Sequence, residues 1–259
     1  MSYLAELYRR RDLLWLWTAR EVQVRYKQSL LGVAWAILQP LALTIIFSLV
    51  FSRLVRIDTG GIPYPVFAYA ALVPWTFLST SLSFGIPSLV NNMNLVTKIY
   101  FPREILPLAN IGAALLDFAV AAVIFVGMLL IYRMWPGPQA IWVVVLLAIQ
   151  CILMIGVTLL GSAIIVFFRD MRFVVPLVLQ VWMYVTPVIY PADLVPSRFQ
   201  LYYYLNPMAA LIDGYRRVLT TAQAPQWPHV GLAAVISLLI FLAGYVLFKR
   251  TEPLFADLI

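Results

Sequence analysis

Residues 28–52 read QSLLGVAWAILQPLALTIIFSLVFS, 25 positions between Lys27 and Arg53 without a formal charge. A helix that crosses the ~30 Å hydrocarbon core of a bilayer needs about 20 apolar residues. This stretch supplies them, and the charges elsewhere punctuate the chain in the same way. The 39 uncharged residues between Asp58 and Lys98 are too many for one helix, and their apolar part ends near Pro87. The pattern predicts an all-α integral membrane protein with six spans, at 31–52, 65–86, 105–132, 141–168, 173–190 and 230–248.

Composition supports that reading. The 259 residues are 63% hydrophobic and 11% charged, with a mean hydropathy of +0.92, against about 45–50% and about 25% in a soluble domain. Such a chain in water would expose more apolar surface than soluble monomers tolerate. Disorder, a collagen-like repeat and a disulfide scaffold are excluded, since Cys151 is the single cysteine. With both termini cytoplasmic, 12 of the 18 Lys and Arg fall in inner segments and 6 in outer ones. That is the positive-inside bias, so the net charge of +7 reads as topology and not as nucleic-acid binding. No signal peptide is evident: about 30 mostly polar residues precede the first span, and no small-residue cleavage site follows.

Three segments between and before the spans carry their own patterns. Residues 3–27 are rich in Leu, Trp, Arg and Tyr and read as an amphipathic helix in the cytoplasmic interface. Residues 88–101 place Leu89, Met93, Val96 and Tyr100 on one helical face, which suits either a lipid surface or a groove on a partner. Residues 191–228 hold five prolines yet contain two helical stretches within 196–220. In the second, Asn206 caps the start and Pro207 takes the first position. Its stripe runs through Met208, Leu211, Ile212, Tyr215, Val218 and Leu219, with Arg216 and Arg217 opposite. Too short to span, this pair reads as a re-entrant hairpin. Non-helical backbone at that depth needs protein or a wet cavity around it.

Much chemistry is missing. Three lysines, Lys27, Lys98 and Lys249, follow no phosphate-loop glycines, so the chain does not hydrolyse ATP by itself. One His, one Cys and 11 scattered acids assemble neither a common metal site nor a catalytic triad. Asp117 is the one acid well inside a span, which reads either as part of a proton pathway or as a hydrogen bond into the bundle, with the acid protonated. Aromatics near the span ends form an interfacial belt or line a path for sugar rings, whose C–H faces suit flat aromatic surfaces.

Four stretches, RYKQSLLGVAWAILQP at 25–40, FPREILP at 101–107, FRDMRF at 168–173 and LNPM at 205–208, resemble the ABC-2 type permeases that export lipid-linked polysaccharides. These are the membrane subunits of O-antigen and teichoic-acid exporters. The likeness implies a homodimer in the plasma (inner) membrane bearing two ABC ATP-binding subunits, with ATP and Mg held by those partners and no cofactor in this chain. It names 88–101 a coupling helix, with Met93, Val96 and Tyr100 on the ATPase together with Arg169, Asp170 and Arg172, and 196–220 the gate helices. A channel for a wet glycan would be lined by candidates Gln39, Trp75, Gln180, Tyr184, Tyr190, Tyr202 and Tyr203. Arg20, Arg25 and Lys27 sit where a lipid pyrophosphate would arrive, or grip ordinary anionic lipid. Three rivals remain: an ABC-2 exporter of drugs or lipids, a proton-coupled carrier using Asp117, and a membrane sugar transferase. The last of these would need clustered cytoplasmic acids for Mg²⁺.

Overall fold

A computed structural model describes residues 11–27, 29, 31–55, 57–98 and 101–255. Helix α1 spans Arg11–Tyr26; residues 3–10 of the expected interface helix, and Tyr100, lie outside the described residues. Helix α2, Trp35–Phe47, contains Pro40 and widens into π-helical turns over Ser48–Leu54. Next come α3 (Tyr64–Gly85), α4 (Ser88–Asn91), α5 (Met93–Lys98) and α6 (Ile105–Ile131). They are followed by α7 (Val143–Phe167), α8 (Met171–Val185), α9 (Ser197–Tyr203), α10 (Pro207–Thr220) and α11 (Trp227–Thr251). No strand occurs among the described residues.

Five stretches are long and apolar enough to cross a membrane: Trp35–Ser52, Tyr64–Gly85, Ile105–Ile131, Pro138–Phe167 and Trp227–Leu254. They match the expected spans one, two, three, four and six. The expected fifth span, 173–190, is helical only to Val185. Its 15 residues rise about 22 Å, short of the ~30 Å core. Pro187 follows, and the residue before a proline is pushed out of the helical region; Thr186 is extended, with ψ of 144°.

The bundle is organised around α3. Sixteen of its 22 residues are buried, among them Ala68, Ala70 and Ala71, and it packs on α2, α6, α7 and α10. Lipid tails are as apolar as leucine, so helices in a membrane associate by close packing of small residues. The α7–α11 pair shows this most sharply. A Cβ on Gly156 would sit 2.6 Å from the Phe241 backbone, and one on Gly244 would strike the Gly156 carbonyl. Helix α1 lies along α6, with Thr18 Oγ1 2.9 Å from where a Gly112 Cβ would be.

Residues 88–98, expected as part of one helix, form two short helices, broken at Asn92, whose φ of −113° and ψ of 32° are non-helical. Leu89 and Val96 do share a face as the spacing required, but that face turns inward. It joins Phe101, Leu106, Leu159, Phe248 and Phe255 in a core at this end of the bundle.

Candidate functional site

At the end of the bundle that carries α1, a cavity of about 280 Å³ opens between α1, α2, α3 and α6. Arg25 and Tyr26, in the last turn of α1, reach Asp117 near the middle of α6. Arg25 Nη1 donates to Asp117 Oδ2 at 2.5 Å, and Tyr26 Oη donates to Oδ1 at 2.5 Å. The guanidinium also lies over the Phe84 ring, 4.4 Å from its centroid. Burial, and next the hydrogen bond to Asp117, push the Tyr26 hydroxyl up to about 12, so it remains a donor across the physiological range. Asp117 therefore has the cationic partner that sequence spacing did not reveal, across a separation of 92 residues. Gln39, Thr76, Thr80, Phe118, Trp35 and Phe77 are among the other lining residues.

The three expected lipid-phosphate residues do not converge. Arg25 is inside this cavity, Arg20 donates to Asn92 Oδ1 at 3.3 Å and covers the Trp17 ring, and Lys27 is exposed. Of the expected ATPase contacts, Met93 shares one groove with Arg169 and Arg172, with Asn91 and Ile165 beside them, and Asp170 is exposed next to it. Val96 differs: at 2% exposure it belongs to the chain's own core. The surface that α5 offers outward is Asn94, Thr97 and Lys98.

At the opposite end, the non-helical stretch 186–190 is almost wholly buried, so its carbonyls need donors from protein. Tyr64 Oη donates to the Ile189 carbonyl at 2.8 Å, and the carbonyls of Pro187, Val188 and Tyr190 are served by Arg216. Its Nη1 donates to the carbonyls of Pro187 (2.5 Å) and Tyr190 (3.2 Å), Nη2 to that of Val188 (2.6 Å) and Nε to that of Phe67 (3.1 Å). The guanidinium carbon stands 3.6 Å from the Phe67 ring centroid. Sequence reasoning set Arg216 beside Arg217 on the polar face of α10, yet Arg216 is only 6% exposed. The sequence signal that could have found it is the Thr186-Pro-Val-Ile-Tyr-Pro191 run, a donor-hungry segment between two prolines. Asn206 behaves as expected: its Oδ1 accepts from the Met208 N–H at 3.1 Å and from Trp182 Nε1 at 2.8 Å.

The aromatic candidates divide. Trp75 is buried edge-on against Trp182, with centroids 6.0 Å apart, so it lines no surface. Tyr190 folds back to donate toward the Tyr184 and Val185 carbonyls, and Tyr203 is half-buried. Tyr184 and Tyr202 are exposed, as are Gln39 and Gln180. Neither glutamine makes a hydrogen bond among the described residues. A buried lock also escaped the sequence: Gln150 Nε2 donates to the Pro74 carbonyl at 2.7 Å and its Oε1 accepts from Tyr215 at 3.0 Å.

Helices long and apolar enough to cross a membrane, with an arginine–aspartate pair between them, define a multi-pass membrane protein. Residues 12–220 match the ABC-2 type transporter family, and the chain belongs to that family. It is 29% identical over 249 residues to an O-antigen export system permease protein RfbA of Klebsiella pneumoniae, covering 96% of this chain and 95% of the relative. It is 31% identical over 250 residues to the RfbA protein of Myxococcus xanthus, covering 95% of each. The polysialic acid transport protein KpsM of Escherichia coli is 22% identical over 238 residues, covering 90% and 91%.

Proposed function

We propose that this chain is the membrane subunit of an ATP-driven exporter of polyprenyl-pyrophosphate-linked polysaccharide of the O-antigen type, in the plasma membrane with both termini cytoplasmic. The observation that carries the reading is the near full-length likeness to permeases named for O-antigen export. In this reading two copies pair, and two ABC ATP-binding subunits supply ATP and Mg²⁺. Six crossings result when α8 and the buried stretch to Tyr190 together make the fifth, with α9 and α10 as a hairpin in the outer leaflet.

The unpartnered amides of Gln39 and Gln180 support the pairing. Each is exposed on an apolar helix, Gln39 on the wall of the cavity that holds Arg25, and an unsatisfied amide in hydrocarbon costs roughly 2–7 kcal/mol. Faces of α2 and α8 that look onto a watery, glycan-filled lumen between two copies remove that cost. Exposed Tyr184 stands on the same helix as Gln180 and would offer its ring to the sugar faces. The groove around Met93, Arg169 and Arg172 is the seat for the ATPase, with Asn94 and Lys98 beside it. A proton-carrier role for Asp117 gains nothing from the geometry, because Arg25 and Tyr26 already account for its charge.

Co-expression with the neighbouring genes, pull-down and an ATPase assay with purified lipid-linked glycan test the reading. An ATP-binding subunit at one-to-one stoichiometry and glycan-responsive hydrolysis are expected. A chain that purifies alone, or a pair whose hydrolysis responds to drugs and not to glycan, refutes it.

A further inference from the structure

Two residues that sequence reasoning assigned to different tasks, Arg25 and Gln39, line one cavity, and that cavity has an unusual polar inventory. The Arg25–Asp117 pair cancels its own charge, so neither an anion nor a cation gains much there: a phosphate would meet the Asp117 carboxylate, a cation the Arg25 guanidinium. What remains is an array of neutral recognition. The Arg25 fork serves Asp117 and the Tyr26 hydroxyl and still has further N–H groups to give, each Asp117 oxygen accepts a single bond, and Gln39 and Thr80 have no partner among the described residues. Thr76 can only accept there, because its hydroxyl proton already goes to the Leu72 and Val73 carbonyls.

A carboxylate that still accepts, beside a guanidinium and an amide that still donate, matches adjacent hydroxyls, each of which gives one hydrogen bond and takes another. Phe77, Phe118 and Trp35 supply apolar walls for the C–H faces of a ring. The volume of about 280 Å³ lies at the small end of ligand sites, which run from ~300 Å³ upward. It admits a single sugar unit and no polymer.

We infer that this cavity is a binding subsite for one neutral sugar ring of the transported glycan, with Asp117, Gln39 and Thr80 as its hydroxyl-reading groups and Arg25 and Tyr26 holding Asp117 in place. The inference rests on the export reading above, and it gives Asp117 a substrate-positioning role in place of proton transfer.

The probe is the polyprenyl-diphosphate glycan that accumulates when the gene for this chain is deleted in its native host. It is extracted and added to the purified full chain in nanodiscs. Thr80→Cys in a Cys151→Ser background is then labelled with a small maleimide. The glycan is expected to slow labelling at least fivefold, undecaprenyl diphosphate without sugar to leave it unchanged, and Gln39→Leu or Asp117→Asn to abolish the slowing. Ala224→Cys, exposed between α10 and α11 and outside the apolar spans, is the control that stays reactive throughout. Ala36→Cys, on the same cavity wall, repeats the measurement where Thr80→Cys does not purify. Equal labelling with and without glycan in the Ala36→Cys chain, which keeps all the hydroxyl-reading groups and restores surface glycan to the deletion strain, overturns the subsite and leaves the exporter standing. Protection by bare undecaprenyl diphosphate also overturns it, since the cavity then reads phosphate. A deletion strain that accumulates no lipid-linked glycan overturns the export reading itself.

Discussion

Replacing Arg216 by Met keeps the aliphatic stem of the side chain and removes every donor. The carbonyls of Phe67, Pro187, Val188 and Tyr190 then lose their guanidinium partner together. The bonds to Pro187 and Val188, at 2.5 and 2.6 Å, are the short, charge-assisted pair; those at 3.1 and 3.2 Å contribute less. An orphaned buried acceptor costs about 1–3 kcal/mol, while the guanidinium no longer has to be desolvated, which returns part of the loss. Four orphaned acceptors set against that return leave a net cost of about 3–5 kcal/mol. At roughly 2–4 °C per kcal/mol for a chain of this size, the thermal midpoint falls by roughly 6–20 °C. The loss is local first, so Ile189→Cys in a Cys151→Ser background reports it. Ile189 is buried behind Arg216, and its thiol should resist maleimide in the parent and react readily once Arg216→Met is added. Arg216→Lys restores the charge but not the planar fork that spans four carbonyls, and should fall between. A midpoint within about 2 °C of the parent, together with an unreactive Ile189→Cys, would show that the 187–190 carbonyls find their donors elsewhere and refute the reasoning.

Further outcomes follow from other parts of the structure. Gly244→Val places a branched side chain against the Gly156 carbonyl and the Leu160 backbone at the α7–α11 crossing; overpacking against backbone costs about 1–3 kcal/mol or more, read as a lower midpoint, whereas Gly231→Val, with open space around it, should be silent. Tyr26→Phe removes one bond to Asp117 and should cost about 1–3 kcal/mol, since it leaves a partly buried carboxylate oxygen unsatisfied. Because the Tyr26 hydroxyl is raised from 10.0 to about 12, the folded state favours its neutral form. The difference between Tyr26→Phe and the parent is therefore constant from pH 6 to 9 and shrinks only above about pH 10; a difference that shrinks below pH 9 would contradict this. On the surface proposed above to seat the ATPase, Asn94→Glu with Lys98→Glu should abolish capture of that subunit while the chain keeps its midpoint. Val96→Asp should instead lower the midpoint of the chain alone, because it buries a charge in the core around Leu89 and Phe248.

Sequence by itself determined the class of this protein. Charge spacing is one-dimensional information, and the hydrocarbon core imposes a one-dimensional requirement, so Lys27, Arg53, Lys98 and Arg133 bound helices without any knowledge of their neighbours. The Asn206-Pro207 start of α10 was legible for the same reason, since a cap acts within three residues. Within the fifth expected span, apolar content continues to Tyr190 while the helix stops at Val185, ahead of Pro187, so composition alone does not mark the helix end.

What only the tertiary structure decided is which side of each helix faces protein. In a membrane, lipid and core are equally apolar, so the hydrophobic periodicity that sorts faces in water carries little signal. Hence Val96 and Trp75, plausible as surface residues by pattern, are interior, and Arg216 is a buried clamp while its neighbour Arg217 is not. The candidate site shows the same limit. Asp117 was conspicuous in sequence, but Arg25 and Gln39 reach its cavity from helices far apart in the chain. No local rule pairs an acid with an arginine 92 residues away; the packing of α1 along α6 does.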